Sequence, residues 1–216
     1  MKVNVMSQSN SIMGQYMAEL RDVNAQRDSM RFRKNIERMG QLFAYEISKL
    51  LPYKTISVTT QLGEADVKVL TEQPVLATVL RAGLPLHQGM LDVFDKAENA
   101  FVSAYRRNLK DGTFDIKVEY MASPDLNNKI LILADPMLAT GQSIELTFKA
   151  LSHRGTPRQI HVVSVIASIE GIEYVKKHLP ESITLWVGAV DDELTAQSYI
   201  VPGLGDAGDL SYGMKV

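Results

Sequence analysis

Asp135, Thr140, Gly141 and Ser143 are the residues whose types and spacing ask most clearly for a chemistry. They lie in Ile-Leu-Ile-Leu-Ala-Asp-Pro-Met-Leu-Ala-Thr-Gly-Gln-Ser, residues 130–143, where an apolar run stops at an acid and a turn leads into a helix. The run Ile130 to Ala134 is too short for a membrane span and suits a strand buried on both faces. Pro136 has no N–H to give a ladder and biases Asp135 towards extended backbone, so the strand ends there. A helix opening at about Ser143-Ile144-Glu145 directs unpaired amides, two hydroxyls and a positive helix end at one point, which is an anion site. Asp135 cannot itself favour a phosphate, but it can accept hydrogen bonds from a sugar diol attached to one. The chemistry asked for is a ribose 5-phosphate with its hydroxyls facing an acid. As a bare spacing the stretch also fits an ordinary strand–turn–helix, because turn residues have structural uses too. Triphosphate loops of the Gly-x4-Gly-Lys-Ser/Thr type and Gly-x-Gly-x-x-Gly dinucleotide turns after a strand are absent from the sequence.

Two further strand ends carry cations. Pro74 opens the apolar strand Val75 to Leu80, which runs into Arg81-Ala-Gly and a helical stretch from about Pro85 to Phe94. An arginine there, beside a helix N-terminus, suits a second phosphate, although arginine at a strand end also serves simply to reach solvent. Asn99 to Tyr105 is another strand, delivering Arg106 and Arg107, with Lys110 shortly after. Phe114 to Met121 alternates with period two, so the pair predicts a hairpin projecting over the site. Such a hairpin either closes on substrate to exclude water or is an ordinary sheet edge.

The loop Asp135-Pro136-Met137-Leu138-Ala139-Thr140-Gly141-Gln142-Ser143 resembles the phosphoribosyl-pyrophosphate (PRPP) loop of type I phosphoribosyltransferases, with the Asp-Pro found in the uracil phosphoribosyltransferase family. Leu80-Arg-Ala-Gly-Leu84 is similar to that family's pyrophosphate loop, and Tyr199-Ile-Val-Pro-Gly-Leu-Gly-Asp-Ala-Gly-Asp209 to its uracil-binding segment. The resemblance runs from about Arg31 to Gly213, and the last motif is the specific one. It implies that Arg81 and Arg106 bind pyrophosphate and that Asp135 holds the ribose hydroxyls. It further implies that Pro136 to Ser143 hold PRPP and that Ile200, Gly205, Asp206 and Ala207 line the uracil pocket, with Asp206 also near PRPP or its magnesium waters. Arg107 and Lys110 would only raise the local potential. Magnesium is the implied cofactor, bound through PRPP and water with no direct protein ligand. Pro85-Leu86-His87 and Asp209-Leu-Ser-Tyr212 depart from the family's usual forms, which bears on the loop around Arg81 and on whether Tyr212 fills the family's aromatic position.

The elements that must position these residues follow from periodicity. Apolar positions from about Asn24 to Leu51, Met30, Tyr45 and Leu50 among them, recur at helical spacing and predict one long amphipathic helix stopped by Pro52. Its basic cluster Arg31, Arg33, Lys34 and Arg38 suits a solvated face or a partner subunit, with a nucleotide or nucleic acid as the other reading. Thr55 to Thr60 and Ala65 to Leu70 predict a β-hairpin. After the central loop come a helix from Ile144 to Arg154, a strand from Ile160 to Ser168, a helix from Gly171 to His178 and a strand from Thr184 to Val190. Alternation of this kind predicts an α/β fold with a doubly wound, mostly parallel sheet, a long N-terminal helix and a projecting β-hairpin. Ligands then bind beyond the carboxyl ends of the strands, where Arg81, Arg106 and Asp135 fall. One domain over 1–216 is expected, with helix and hairpin to about 70, a core over 74–190 and a base-binding tail over 191–216. The tail reads as a packed loop, its apolar residues interleaved with glycines.

Composition narrows the classes. With 216 residues, 45% hydrophobic, the chain can bury one sizeable core, and a net charge of −2 advertises neither nucleic acid nor a membrane surface. Zero cysteines exclude disulfides, thiolate catalysis and sulfur-based zinc sites. The polar N-terminus and the lack of an 18-residue apolar run predict a cytoplasmic protein. The four histidines lack metal-ligand spacing. The function implied is transfer of the 5-phosphoribosyl group from PRPP to uracil, by a homo-oligomer, dimer or tetramer. The alternatives are a regulator of pyrimidine genes that kept the fold and binds RNA, and a sensor that binds uracil or UMP without turnover.

Overall fold

The computed structural model describes residues 1–108 and 114–214, with the side chains of 104–118 outside the described set. In chain order the elements are β1 (Lys2–Val5), α1 (Met13–Arg21), α2 (Ser29–Ser48), β2 (Tyr53–Thr59), β3 (Glu64–Leu70), β4 (Val75–Leu80) and α3 (Leu84–Val93). Next come β5 (Glu98–Asn108), β6 (Phe114–Ala122), β7 (Ile130–Ala134), the short β8 (Met137–Leu138), α4 (Gln142–Ser152), β9 (Gln159–Ser168) and α5 (Ile169–His178). The chain ends with β10 (Thr184–Asp191), β11 (Glu193–Leu194), β12 (Ile200–Val201) and α6 (Ala207–Tyr212).

The main sheet runs β1-β10-β9-β7-β4-β5-β6, with β8 paired to β9. Every neighbouring pair is parallel except β5 with β6. Side-chain alternation along the buried strands sends Ile130, Ile132 and Ala134 to one face, with Leu131 and Leu133 on the other. The first face carries α1, α2 and α3 through Met17, Phe32, Phe43 and Leu86; the second carries α4 and α5 through Ile144, Leu151, Ile172 and Val175. Two covered faces explain why these strands read as unbroken apolar runs. The doubly wound reading therefore holds.

The N-terminal region differs from expectation. The helix predicted from Asn24 begins at Ser29, because the Asp28 carboxylate accepts the Arg31 N–H at 3.0 Å and caps it there. Upstream, the Asp22 carboxylate accepts the N–H groups of Asn24 and Ala25 at 2.8 Å and folds 25–27 into a 3-10 turn. Of the apolar positions read at helical spacing, Ile36, Met39, Phe43 and Ile47 are buried, whereas Met30, Tyr45 and Leu50 are exposed. Helix α1 escaped the sequence reading although Met13, Met17 and Leu20 repeat at helical spacing and are buried. It takes up much of the basic cluster: Arg31 pairs with Glu19 at 2.7 Å and Arg38 lies 5.3 Å from the Tyr16 ring centroid. Lys34 pairs with Glu37, while Arg33 reaches the Ser211 carbonyl at 2.6 Å. The cluster meets partners within the chain.

Candidate active site

Three loops meet at the carboxyl ends of the parallel strands around a cavity of about 650 Å³. Strand β4 delivers Arg81 and Ala82, the stretch after β7 delivers Asp135, Met137 to Gly141 and Ser143, and the tail delivers Tyr199 and Asp206 to Gly208. Central strands in such a sheet end at one level, so residues 54 positions apart in sequence become neighbours.

The loop from Asp135 to Ser143 is fixed from beneath. Gly141, the residue before α4, takes φ +82°, and a Cβ there would stand 2.8 Å from the Tyr174 ring. The Ser168 hydroxyl donates to the Ala139 carbonyl at 2.6 Å and accepts the Gly171 N–H at 2.8 Å, so the residue that caps α5 also holds the loop. Behind α4, the Tyr174 hydroxyl donates to Glu145 at 2.6 Å, and Lys149 pairs with the same carboxylate. The hydrogen bond to Glu145 pushes the Tyr174 hydroxyl up to about 12. Amide and hydroxyl groups at the start of α4 thus face the cavity on a rigid support.

Asp135 sits just past β7 in the cavity wall. Desolvation drives its carboxyl up to about 7, only partly opposed by the Met137 N–H that it accepts at 3.2 Å. A carboxylate held this far from its solution value is poised to gain from hydroxyl donors or a nearby cation. Arg81 also lines the cavity, and its NH2 group donates to Asp209 and to the Gly213 carbonyl, both at 3.2 Å. Asp206 caps α6 by accepting the Asp209 N–H at 2.9 Å and also lines the cavity.

Of the residues assigned to PRPP, Arg81, Asp135, Met137, Leu138, Ala139, Thr140, Gly141, Ser143 and Asp206 line the cavity. Pro136 and Gln142 do not: Pro136 is buried with its carbonyl accepting the Ile166 N–H, and Gln142 starts α4. Of those assigned to uracil, Asp206 and Ala207 line it, whereas Ile200 is buried in the core and Gly205 lies outside the lining. Arg106 belongs to β5, but its side chain, like that of Arg107, falls outside the described residues, as does Lys110 altogether.

His87 and Tyr212 line a separate cavity of about 530 Å³ behind the Arg81 turn, with His87 packed 5.0 Å from the Phe101 ring centroid. Glu119, Ser103 and Ser198 line the main cavity without having been singled out in the sequence. The β5–β6 register slips between Ser103 and Ala104, so Ser103 faces Tyr120 and Ala104 faces Val118. Glu119 is the extra residue of that bulge, a local re-aiming that strict alternation does not foretell. Ser198 takes φ +62°, a turn conformation without a residue-type signal here.

The fold is that of the phosphoribosyltransferases. It superimposes on a hypoxanthine phosphoribosyltransferase from Staphylococcus aureus with a TM-score of 0.51 at 12% identity, over 75% of this chain and 76% of that one. The match is closer to the AQ2163 protein from Aquifex aeolicus, with a TM-score of 0.87, 28% identity and 99% of each chain covered. The sequence pattern of uracil phosphoribosyltransferase matches residues 6–214. A uracil phosphoribosyltransferase of Porphyromonas gingivalis is 51% identical over 216 residues, the full length of both chains. The chain belongs to the uracil phosphoribosyltransferase family.

Proposed function

We propose that the chain transfers the 5-phosphoribosyl group from PRPP to uracil, forming UMP and releasing pyrophosphate, a step of pyrimidine salvage. The observation that carries this is the convergence of the Arg81 turn, the Asp135–Ser143 loop and the Asp206–Gly208 segment on one cavity. In the reaction the bond from the ribose anomeric carbon to pyrophosphate breaks, a bond to a uracil ring nitrogen forms, and that nitrogen's proton leaves to solvent. Charge develops on the sugar, so positioning, electrostatics and water exclusion do the catalysis, with no covalent nucleophile.

Each wall has a part. Backbone amides and hydroxyls from Ala139 to Ser143 hold the 5-phosphate, and Asp135 accepts from the ribose hydroxyls. Arg81, with Arg106, receives the pyrophosphate, while Asp206 and Ala207 with their backbone face the base. Among the described residues no three His, Cys, Asp or Glu side chains cluster as a metal cage. Asp135 and Asp206, two of the carboxylates that line the cavity, suit a magnesium ion that would keep its waters and bind through substrate phosphates. Such an ion would supply positive charge to the leaving pyrophosphate, beside Arg81.

Among the described residues no helix is long and apolar enough to cross a membrane. A cytoplasmic location is supported by the phosphorylated substrate, which does not cross a bilayer unaided. A homo-oligomer, dimer or tetramer, is supported by the β2–β3 ribbon, a separate two-stranded sheet that exposes the cross-strand pair Ile56 and Val67. Two strands alone are marginal in water, so a second copy is a natural cover.

Conversion of radiolabelled uracil to UMP with PRPP and magnesium tests the function, with adenine, hypoxanthine and orotate in parallel. Product from uracil alone supports it. Product from another base overturns the reading of the tail, and no product with PRPP still bound overturns the enzyme.

A further inference from the structure

Arg21, the last residue of α1, reaches across 170 positions of sequence to Asp191, the last residue of β10. The contact is bidentate: NH1 donates to Oδ2 and NH2 to Oδ1, each at 2.7 Å. The same pair grips one residue of the tail. Asp191 Oδ2 accepts the Gly203 N–H at 2.7 Å, and Arg21 NH1 donates to the Gly203 carbonyl at 3.0 Å. Both backbone polar groups of Gly203 are thus held by one planar ion pair. The side chains of Asp191 and Arg21 are 6% and 26% exposed, so little water competes. Burial by itself would push the Asp191 carboxyl up; the Arg21 and Gly203 hydrogen bonds instead hold it below the ordinary range.

Gly203 needs such an external hold. It takes φ +62°, and a Cβ there would collide with the Ile200 carbonyl, so no side chain of its own can fix the turn. On either side, Ile200 and Leu204 are buried anchors, and three residues beyond Gly203 come Asp206 and Ala207 in the cavity wall. Gln26 completes the arrangement. Its Nε2 donates to the carbonyls of Leu20 and Arg21 at 3.2 Å, closing the end of α1 that carries the arginine. Neither Arg21 nor Asp191 lines the cavity.

We propose that the Arg21–Asp191 pair is a positioning device for the base-binding tail: by fixing Gly203 it sets where Asp206 and Ala207 meet the base, and so sets affinity for uracil. The role rests on the uracil reading above. It makes α1, a helix outside the parallel sheet, a determinant of base recognition. It predicts an asymmetric kinetic effect, because the Asp135–Ser143 loop stands on other elements and Arg81 meets the tail only through long contacts of 3.2 Å.

The test is steady-state kinetics of Arg21→Gln, Asp191→Asn and Arg21→Lys, with uracil and PRPP varied separately and a melting curve for each variant. Arg21→Gln and Asp191→Asn should raise KM for uracil about tenfold while KM for PRPP stays within about twofold, as expected for a small misplacement of one substrate's contacts. Arg21→Lys, which keeps the charge but loses the fork, should fall between wild type and Arg21→Gln. KM values that rise together, or a lowered melting temperature with unchanged KM for uracil, would make the pair merely structural and overturn the proposal. If Arg21→Gln does not fold, the KM split of Arg21→Lys decides by the same criterion. Wild-type turnover of uracil is scored separately, so the functional reading and the positioning role can fail independently.

Discussion

The Ser168 hydroxyl and the Ala139 carbonyl lie 2.6 Å apart, so the residue that caps α5 also holds the loop proposed to meet the 5-phosphate. Removing the hydroxyl strands two groups: the Gly171 N–H loses its cap and the Ala139 carbonyl loses its donor. Ser168→Ala should cost about 1 kcal/mol of stability, as lost caps do, and should raise KM for PRPP several-fold with little change in KM for uracil. Denaturant melts and kinetics with each substrate varied check both halves. A variant with wild-type KM for PRPP would confine Ser168 to capping.

Gly141→Ala probes the same loop from above. The new methyl group must adopt φ +82° and sit against the Tyr174 ring, so the amides at the start of α4 have to shift. Left-handed backbone alone costs about 1–2 kcal/mol for an L-residue. Activity should fall at least tenfold through PRPP binding, since displaced amides no longer converge on one phosphate. Isothermal titration with PRPP measures this directly, and unimpaired binding would show that the loop tolerates the shift.

Asp135 predicts two pH effects of opposite sense. Its carboxyl in the folded, ligand-free protein is raised to about 7, above the ordinary aspartate value of 3.8, so the folded state holds the proton longer than the unfolded chain. The stabilising contribution of the protonated form is complete below about 4 and is lost as pH rises through about 7. Asp135→Asn should therefore be more stable than wild type at pH 8 by roughly 2 kcal/mol, with cavity water reducing the full value, and the gap should close at pH 4. Catalysis runs the other way. In the proposed reaction the ionised carboxylate accepts the ribose hydroxyls, so kcat/KM for PRPP should fall below pH 7, and Asp135→Ala should lose about tenfold or more at pH 8. A flat pH profile together with normal turnover of Asp135→Ala would remove Asp135 from the site.

How far the sequence reached depended on the kind of signal. Strands β4 and β7 were legible because burial on both faces leaves uninterrupted apolar runs, and Val75 to Leu80 and Ile130 to Ala134 were read to the residue. The Asp135 loop and Arg81 were legible because strand, breaker and helix start lie within a dozen residues. What escaped depends on distant contacts or single side chains. Helix α6 was read as loop because glycines dominate the tail, yet Asp206 caps it and Arg33 reaches the Ser211 carbonyl at its end. Glu119 reaches the cavity through a bulge in β5–β6, and Ile200, assigned to the base pocket, has its side chain buried in the core. The Arg21–Asp191 pair spans the chain, beyond any local pattern.

Arg81 offers the sharpest test of how the cavity handles its leaving group. Its NH2 holds Asp209 and the Gly213 carbonyl at 3.2 Å each, long contacts on a side chain 40% exposed, so the pairing contributes little stability. Pyrophosphate offers more charge and a bidentate surface to the same guanidinium, and should draw it off the tail readily. Two consequences separate a phosphate ligand from a structural brace. Arg81→Lys should raise both KM for PRPP and the inhibition constant of pyrophosphate about tenfold or more, because an ammonium cannot present the planar fork. Asp209→Asn should change either constant by no more than about threefold, because the ion pair it removes is weak. Kinetics with PRPP varied at saturating uracil, alongside pyrophosphate product inhibition, read out both. Equal effects of the two substitutions would mean that the Arg81–Asp209 contact itself maintains the site; normal constants in Arg81→Lys would mean that pyrophosphate is held elsewhere.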